Sequence, residues 1–251
     1  MSALAIGSVV FVCVFGGALL GMVLRSFLPD RHLSADSKDL VRLGMGLLAT
    51  MAALVLSLLI ASAKGSYDTQ RNEVTQMAAN VVFLDRAMAH YGPESKEARD
   101  LLRRYVASVL DQMWPPTGSG SAELNLAATA VESLYEKIQA LSPQNDGQRA
   151  LRADARQVTI DLGRTRSLLV AQSGSSIPIP FLVILTFWIT VLFVSFGLFA
   201  PRNGTVVVTL FVCALSVSGA TYLILELDQP FQGFIHISSA PLRGALAHLG
   251  Q

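Results

Sequence analysis

Thr50, Ala53, Ser57 and Ala61 stand three or four residues apart in a run without charge, and Lys64 follows three residues later. At 3.6 residues per turn they share one helix face, while Leu54 and Leu58 fall largely elsewhere. A small, partly polar stripe suits two purposes. It lets a neighbouring helix approach closely, or it lines a water-filled path built from symmetry-related copies of the same helix. Lys64 carries matching alternatives: a lysine snorkelling to the membrane interface, or a cation at the mouth of such a path that concentrates anions. Glu226 and Asp228 close the last apolar run. Carboxylates in that position sit at headgroup level, pair with a cation such as Arg71 or Lys64, or face a cavity. Tyr67 and Trp188 read as interface and lipid-facing aromatics.

Other chemistry is not visible. The histidines His32, His90, His236 and His248 have no ligand spacing, and there is no HExxH, paired CxxC or Gly-rich phosphate loop. A serine nucleophile would need a histidine and an acid beside it, and no local sequence carries a nucleophile motif, so no triad is expected. The chain is expected not to be an enzyme and to need no cofactor or metal. The formal net charge of +1 points away from nucleic acid. Cys13 and Cys213 both lie in apolar runs, which excludes a disulfide framework.

These residues are positioned by four apolar runs. Residues 1–24, 43–63, 177–200 and 204–225 contain no Lys, Arg, Asp or Glu. Each is about 20 residues or slightly more, enough to cross a ~30 Å hydrocarbon core at ~1.5 Å rise per residue. The first lacks a basic n-region and is too long for a signal-peptide core, so it reads as a retained span. Its Gly16, Gly17 and Gly21 are expected to allow close helix contact. Arg25 ends it, Leu28-Pro29-Asp30 breaks the helix, and a charged loop leads to Arg42. The expected organisation is two transmembrane helices over 1–64, a helical domain over 65–176, two more transmembrane helices over 177–228, and a tail over 229–251.

Between the second and third spans the charges balance, thirteen Lys/Arg against thirteen Asp/Glu over residues 64–176. Only Gly65 interrupts the run out of the second span, and one glycine is tolerated in a helix. Val74, Met77, Ala78, Val81, Val82 and Met88 then recur at helical spacing until Gly92-Pro93. A second stripe starts at Glu94 and runs from Ala98 to Met113. Third and fourth stripes run from Leu124 to Leu141 and from Leu151 to Leu169, separated by Pro143 and Asn145-Asp146-Gly147. Four amphipathic stripes and no sustained period-two pattern predict an all-α protein: four transmembrane helices with a helical bundle inserted between the second and third. The third span opens on Ile177-Pro178-Ile179-Pro180, where proline costs little.

Three segments resemble the bestrophins, and more closely a bacterial bestrophin-like family. Ser66-Tyr67-Asp68, with Arg71 beyond, is similar to the Ala-Tyr-Asp-Arg-Trp-Trp stretch of bacterial bestrophins. Ile177-Pro178-Ile179-Pro180-Phe181 resembles the Ile-Pro-x-Pro that opens their third helix. Leu227-Asp228-Gln229-Pro230-Phe231 resembles their Asn-Pro-Phe segment. The resemblance implies a homo-oligomeric channel, a pentamer, mostly for anions such as chloride, with a cytoplasmic helical body. Counted back from Tyr67-Asp68, the family's bulky hydrophobic neck corresponds to Ala53, Ser57 and Ala61, so small residues imply a wider or wetter constriction here. Thr69-Gln70 replace the paired Trp. Phe234-Ile235-His236-Ile237 replace the acidic run that binds calcium in animal members, so calcium gating is not expected.

Charge counting leaves topology open. The short loops at 25–42 and 201–203 hold five Lys/Arg, and the opposite flanks hold Lys64, Arg71, Arg164, Arg166 and Arg243, also five. The resemblance implies a body and both termini in the cytoplasm, in a bacterial inner membrane, with lipids and inorganic ions as partners. The expected function is therefore an oligomeric, anion-conducting channel whose second helix lines the pore at Thr50, Ala53, Ser57, Ala61 and Lys64. The alternative is a non-conducting membrane sensor or scaffold bearing a helical bundle.

Overall fold

The computed structural model describes residues 2–27, 35–115, 124–172, 177–201, 203–231 and 233–250, with only the backbone at 35–38 and 124–128. The Leu28-Pro29-Asp30 break, His32, the 116–123 loop and the 173–176 linker lie outside them. The described chain is all-α: α1 (Ala3–Leu24), α2 (Ala35–Tyr91), α3 (Lys96–Met113), α4 (Leu124–Gln139), α5 (Asp146–Gln172), α6 (Ile179–Phe199), α7 (Gly204–Leu227) and α8 (Ala240–His248). No strand occurs among the described residues. α1, α6, α7 and the Asp39–Tyr91 stretch of α2 are long and apolar enough to cross a membrane, and the chain is a membrane protein.

The chain divides into two compact units, Met1–Ser66 with Ser175–Asp228, and Tyr67–Gly174 with Gln229–Gln251. In the first, α1 packs on α6 and α7. Gly17 sits 3.0 Å from Thr190 Cγ2 when a Cβ is placed on it, and a Cβ on Gly21 would fall on Val194 O and 3.0 Å from Leu198 N. On α6 the reciprocal position is Gly197, where a Cβ would fall on Ala18 O. Small residues here let two backbones touch, the main source of affinity between helices already in lipid. Gly16 differs from the expectation: it faces open space, because it is on the far side of α1 from the seam. Ser218 on α7 donates to Gly7 O at 2.7 Å, and Phe11, Phe15 and Phe211 form an edge-and-stack cluster on the same pair of helices.

α2 begins at Ala35, eight residues before the apolar run, rather than at the end of a charged loop. Asp39 lies near the start of the helix, where a carboxylate complements the helix dipole. The helix then runs unbroken past Gly65 to Tyr91. Gly92 stops it with φ 130°, a conformation that suits glycine. A turn at Pro93–Ser95 follows, so α3 starts at Lys96, two residues later than the Glu94 expected.

In the second unit the four expected stripes meet in one core that includes Val74, Met77, Leu84, Tyr105, Leu134 and Leu162. Val82 is not part of it; it is 38% exposed, and Leu84 and Asp85 face inward instead. Several buried polar groups find partners inside this core, as burial demands. Asp85 receives a forked pair of bonds from Arg99 at 2.7 and 2.9 Å. Arg166, counted above as a flanking surface charge, is buried and donates to Gln112 Oε1 at 3.0 and 3.2 Å. Tyr105 donates to Leu162 O at 3.2 Å, and burial raises its hydroxyl well above the ordinary phenol range.

Glu73 on α2 has one enclosed carboxylate oxygen, Oε2, with no hydrogen-bond partner. Burial raises its pKa above the usual carboxylate value, and a side-chain bond to Gln172 offsets this in part. A carboxyl raised in the folded state favours its protonated form there. It therefore costs stability at pH above its folded pKa, and that cost disappears as pH falls toward the unfolded value of 4.5. Glu73→Gln is expected to raise the melting temperature at pH 7.5 and to leave it nearly unchanged at pH 4.5. A variant that melts lower at pH 7.5 would show that the carboxylate is needed ionised.

Candidate functional site

The candidate site lies on the membrane portion of α2. Ala52, Leu59 and Ala63 are buried in the core of the membrane unit, with Val55 and Leu56 packed against it, so one face of α2 serves its own subunit. Thr50, Ala53, Ser57, Ala61 and Lys64 are all exposed. By the 3.6-residue period they fall within an arc of about 80°, centred roughly 140° from the packed face. A third face holds Met51, Leu54 and Leu58, also exposed. Only 11% of α2's apolar window is buried within the chain, against 33% for α1.

The stripe's hydroxyls are turned inward. Thr50 donates to Gly46 O at 2.9 Å and Ser57 to Ala53 O at 2.8 Å. In these rotamers the outward groups are oxygen lone pairs and methyls. An anion beside the stripe would have to draw each hydroxyl hydrogen off its carbonyl. Small side chains and satisfied hydroxyls make a neutral wall of low bulk, with a cation at one end.

The remaining sequence-derived residues separate into structural parts. Tyr67 is half-buried against the core of the second unit. Asp68 is half-buried and Arg71 exposed on the same helix. Pro178 is the N-cap of α6 and Pro180 lies in its first turn, where a missing N–H costs nothing. Trp188 is half-buried against its own core rather than wholly lipid-facing. Glu226 and Asp228 are buried within the subunit. Glu226 takes a hydrogen bond from Tyr222 one turn back, and Asp228 caps α7 with its N–H on Ile224 O at 3.2 Å.

Pro230 and Phe231 belong to a clamp. Pro230 O accepts the N–H of Ile237 at 2.7 Å, which closes a loop. Trp114, at the end of α3, donates from its indole to Ile237 O at 2.8 Å and meets Phe231 edge-on at 5.5 Å. The signal for Trp114 is its type: a half-buried indole at a helix end needs an acceptor, and a loop carbonyl supplies one. α8 was read as tail, although Leu242, Ala245, Leu246 and Leu249 repeat at helical spacing and join the same core.

Residues 12–242 match the family model described as the Bestrophin-like domain. The chain belongs to the Bestrophin-like family. Its fold is shared with a bacterial bestrophin homologue from Klebsiella pneumoniae. One substituted form of that protein is 13% identical with a TM-score of 0.73, over 99% of this chain and 97% of that one. A second is 13% identical with a TM-score of 0.70, over 96% and 99%. A structure described as a membrane protein is 12% identical with a TM-score of 0.71, over 97% and 100%. At such identity the likeness establishes the fold. No curated protein gives a significant match. Among the described residues of this bestrophin-like chain, no three His, Cys, Asp or Glu side chains gather as metal ligands would.

Proposed function

We propose that this chain assembles as a homo-oligomeric, bestrophin-type ion channel in which α2 of every copy turns Thr50, Ala53, Ser57, Ala61 and Lys64 toward a common axis. The observation that carries this reading is the exposed small-residue stripe on the face of α2 that its own subunit does not use. Family membership supports the channel class, and the family resemblance supports five copies. The channel conducts anions, because the cation on the stripe is Lys64 and no carboxylate lies between Thr50 and Lys64. The helical unit and both termini face the cytoplasm of a bacterial inner membrane.

Reconstitution into planar bilayers with asymmetric potassium chloride tests the whole reading. Currents should reverse near the chloride equilibrium potential. A monodisperse monomer or dimer that carries no current would instead favour a sensor or scaffold.

Calcium is expected to leave this current unchanged. A calcium ion takes six to eight oxygen ligands, usually several from carboxylates. After Asp228 the chain contains no Asp or Glu. Open probability is therefore expected to be equal in micromolar calcium and in chelator, and a shift would show a ligand set elsewhere in the chain.

A further inference from the structure

At the end of the membrane unit where α6 stops and α7 starts, a groove of about 430 Å³ opens between α2, α6 and α7. Its floor is apolar, formed by Met45, Phe196, Phe199, Val206 and Leu210. Its mouth is cationic. Arg42 lines it directly, and Arg25 is anchored at its edge by a hydrogen bond to the carbonyl of Ala200, another lining residue. We infer that this groove is a site for one acidic phospholipid, with an acyl chain along Phe196 and Leu210 and the phosphate held by Arg42 and Arg25.

Three features support that occupant. The first is level. Arg42 immediately precedes the apolar run of α2, and Ala200 follows the last residue of α6, so the guanidinium groups stand where a span ends and headgroups begin. The second is charge. Guanidinium groups bind phosphate oxygens in forked pairs, and basic pockets between membrane helices select anionic headgroups. Arg42 now bonds Asp39 at 3.2 Å, but both side chains are about 70% exposed, so that pair is weak and a phosphate can displace it. The third is shape. Apolar side chains from three helices line a furrow that suits an alkyl chain better than a polar solute. The inference does not depend on conduction.

The test uses the full chain purified in mild detergent and supplemented with equal amounts of phosphatidylglycerol and phosphatidylcholine. Retained lipid is counted by native mass spectrometry and thermal stability is read in parallel. Phosphatidylglycerol should be retained preferentially and should raise the melting temperature. Arg42→Gln, an exposed change that leaves the packing alone, should lower its retention about tenfold, the effect of losing one charge-assisted contact, and Arg42→Lys should keep part of it. Thr209→Trp, which fills the groove, should abolish retention without changing subunit number. Equal retention of both lipids, or an Arg42→Gln protein that holds phosphatidylglycerol like the parent, overturns the inference. So does dissociation of the assembly by Thr209→Trp with lipid retention intact, which would assign the groove to a second copy of the chain.

Discussion

Phenylalanine at Ala53 or Ala61 is expected to cut single-channel current by about an order of magnitude or more, since a ring of bulky apolar side chains narrows and dewets a pore. Both positions are exposed in the isolated subunit, away from the face of α2 packed on its own chain. Phenylalanine at Leu54 or Leu58, on the neighbouring face, should alter assembly or yield rather than current. Lys64→Glu acts differently, through charge. One unit charge about 5 Å from the ion path is worth ~0.8 kcal/mol in a water-like dielectric, roughly fourfold in local ion concentration, and reversing its sign doubles the energy. Reversal potentials should therefore move toward the cation side. The shift should fade between 0.1 M and 1 M salt, as the Debye length falls from ~10 Å to ~3 Å. Assembled Phe variants that conduct normally would remove α2 from the pore wall. A salt-independent Lys64→Glu effect would mean that the lysine acts through structure.

This reading also explains what was and was not legible in the sequence. Four spans were visible because the bilayer fixes both length and charge content over about 20 consecutive residues. The continuity of α2 was visible because only Pro or a cluster of breakers ends such a pattern, and Gly65 alone does not. The stripe from Thr50 to Ala61 was visible as a period. Which face of α2 serves its own subunit was not visible; the fold assigns that face to Ala52, Leu59 and Ala63. α8 was missed because a nine-residue helix shows barely two turns of pattern, interrupted by Pro241 and Gly244. The burial of Arg166 and Glu226 was not legible either. For Arg166 the reason is that its partner comes from a distant part of the chain, as α3 brings Gln112 to it.

The glycines of α1 show the same limit in its sharpest form, and they carry the largest expected effect on stability. Gly16, Gly17 and Gly21 lie within six residues, and nothing in their order ranks them. In the fold, α1 and α6 touch backbone to backbone at Gly21 and Gly197. A Cβ on Gly21 overlaps Val194 O, and one on Gly197 overlaps Ala18 O and lies 3.0 Å from Met22 N. Both obstacles are main-chain atoms, which cannot rotate aside, so the helices must separate. Overpacking a core commonly costs ~1–3 kcal/mol, and forcing two main chains apart along a membrane seam should exceed that. Gly21→Leu and Gly197→Leu are each expected to abolish the monodisperse peak on size-exclusion chromatography. A Cβ on Gly16 meets nothing within 4 Å in the subunit, so Gly16→Leu should elute like the parent. If Gly21→Leu and Gly16→Leu were equally well tolerated, the close α1–α6 seam would be wrong. If Gly16→Leu alone disrupted the assembly, the open face of α1 would be a contact between copies, and the ring would be built on α1 as well as α2.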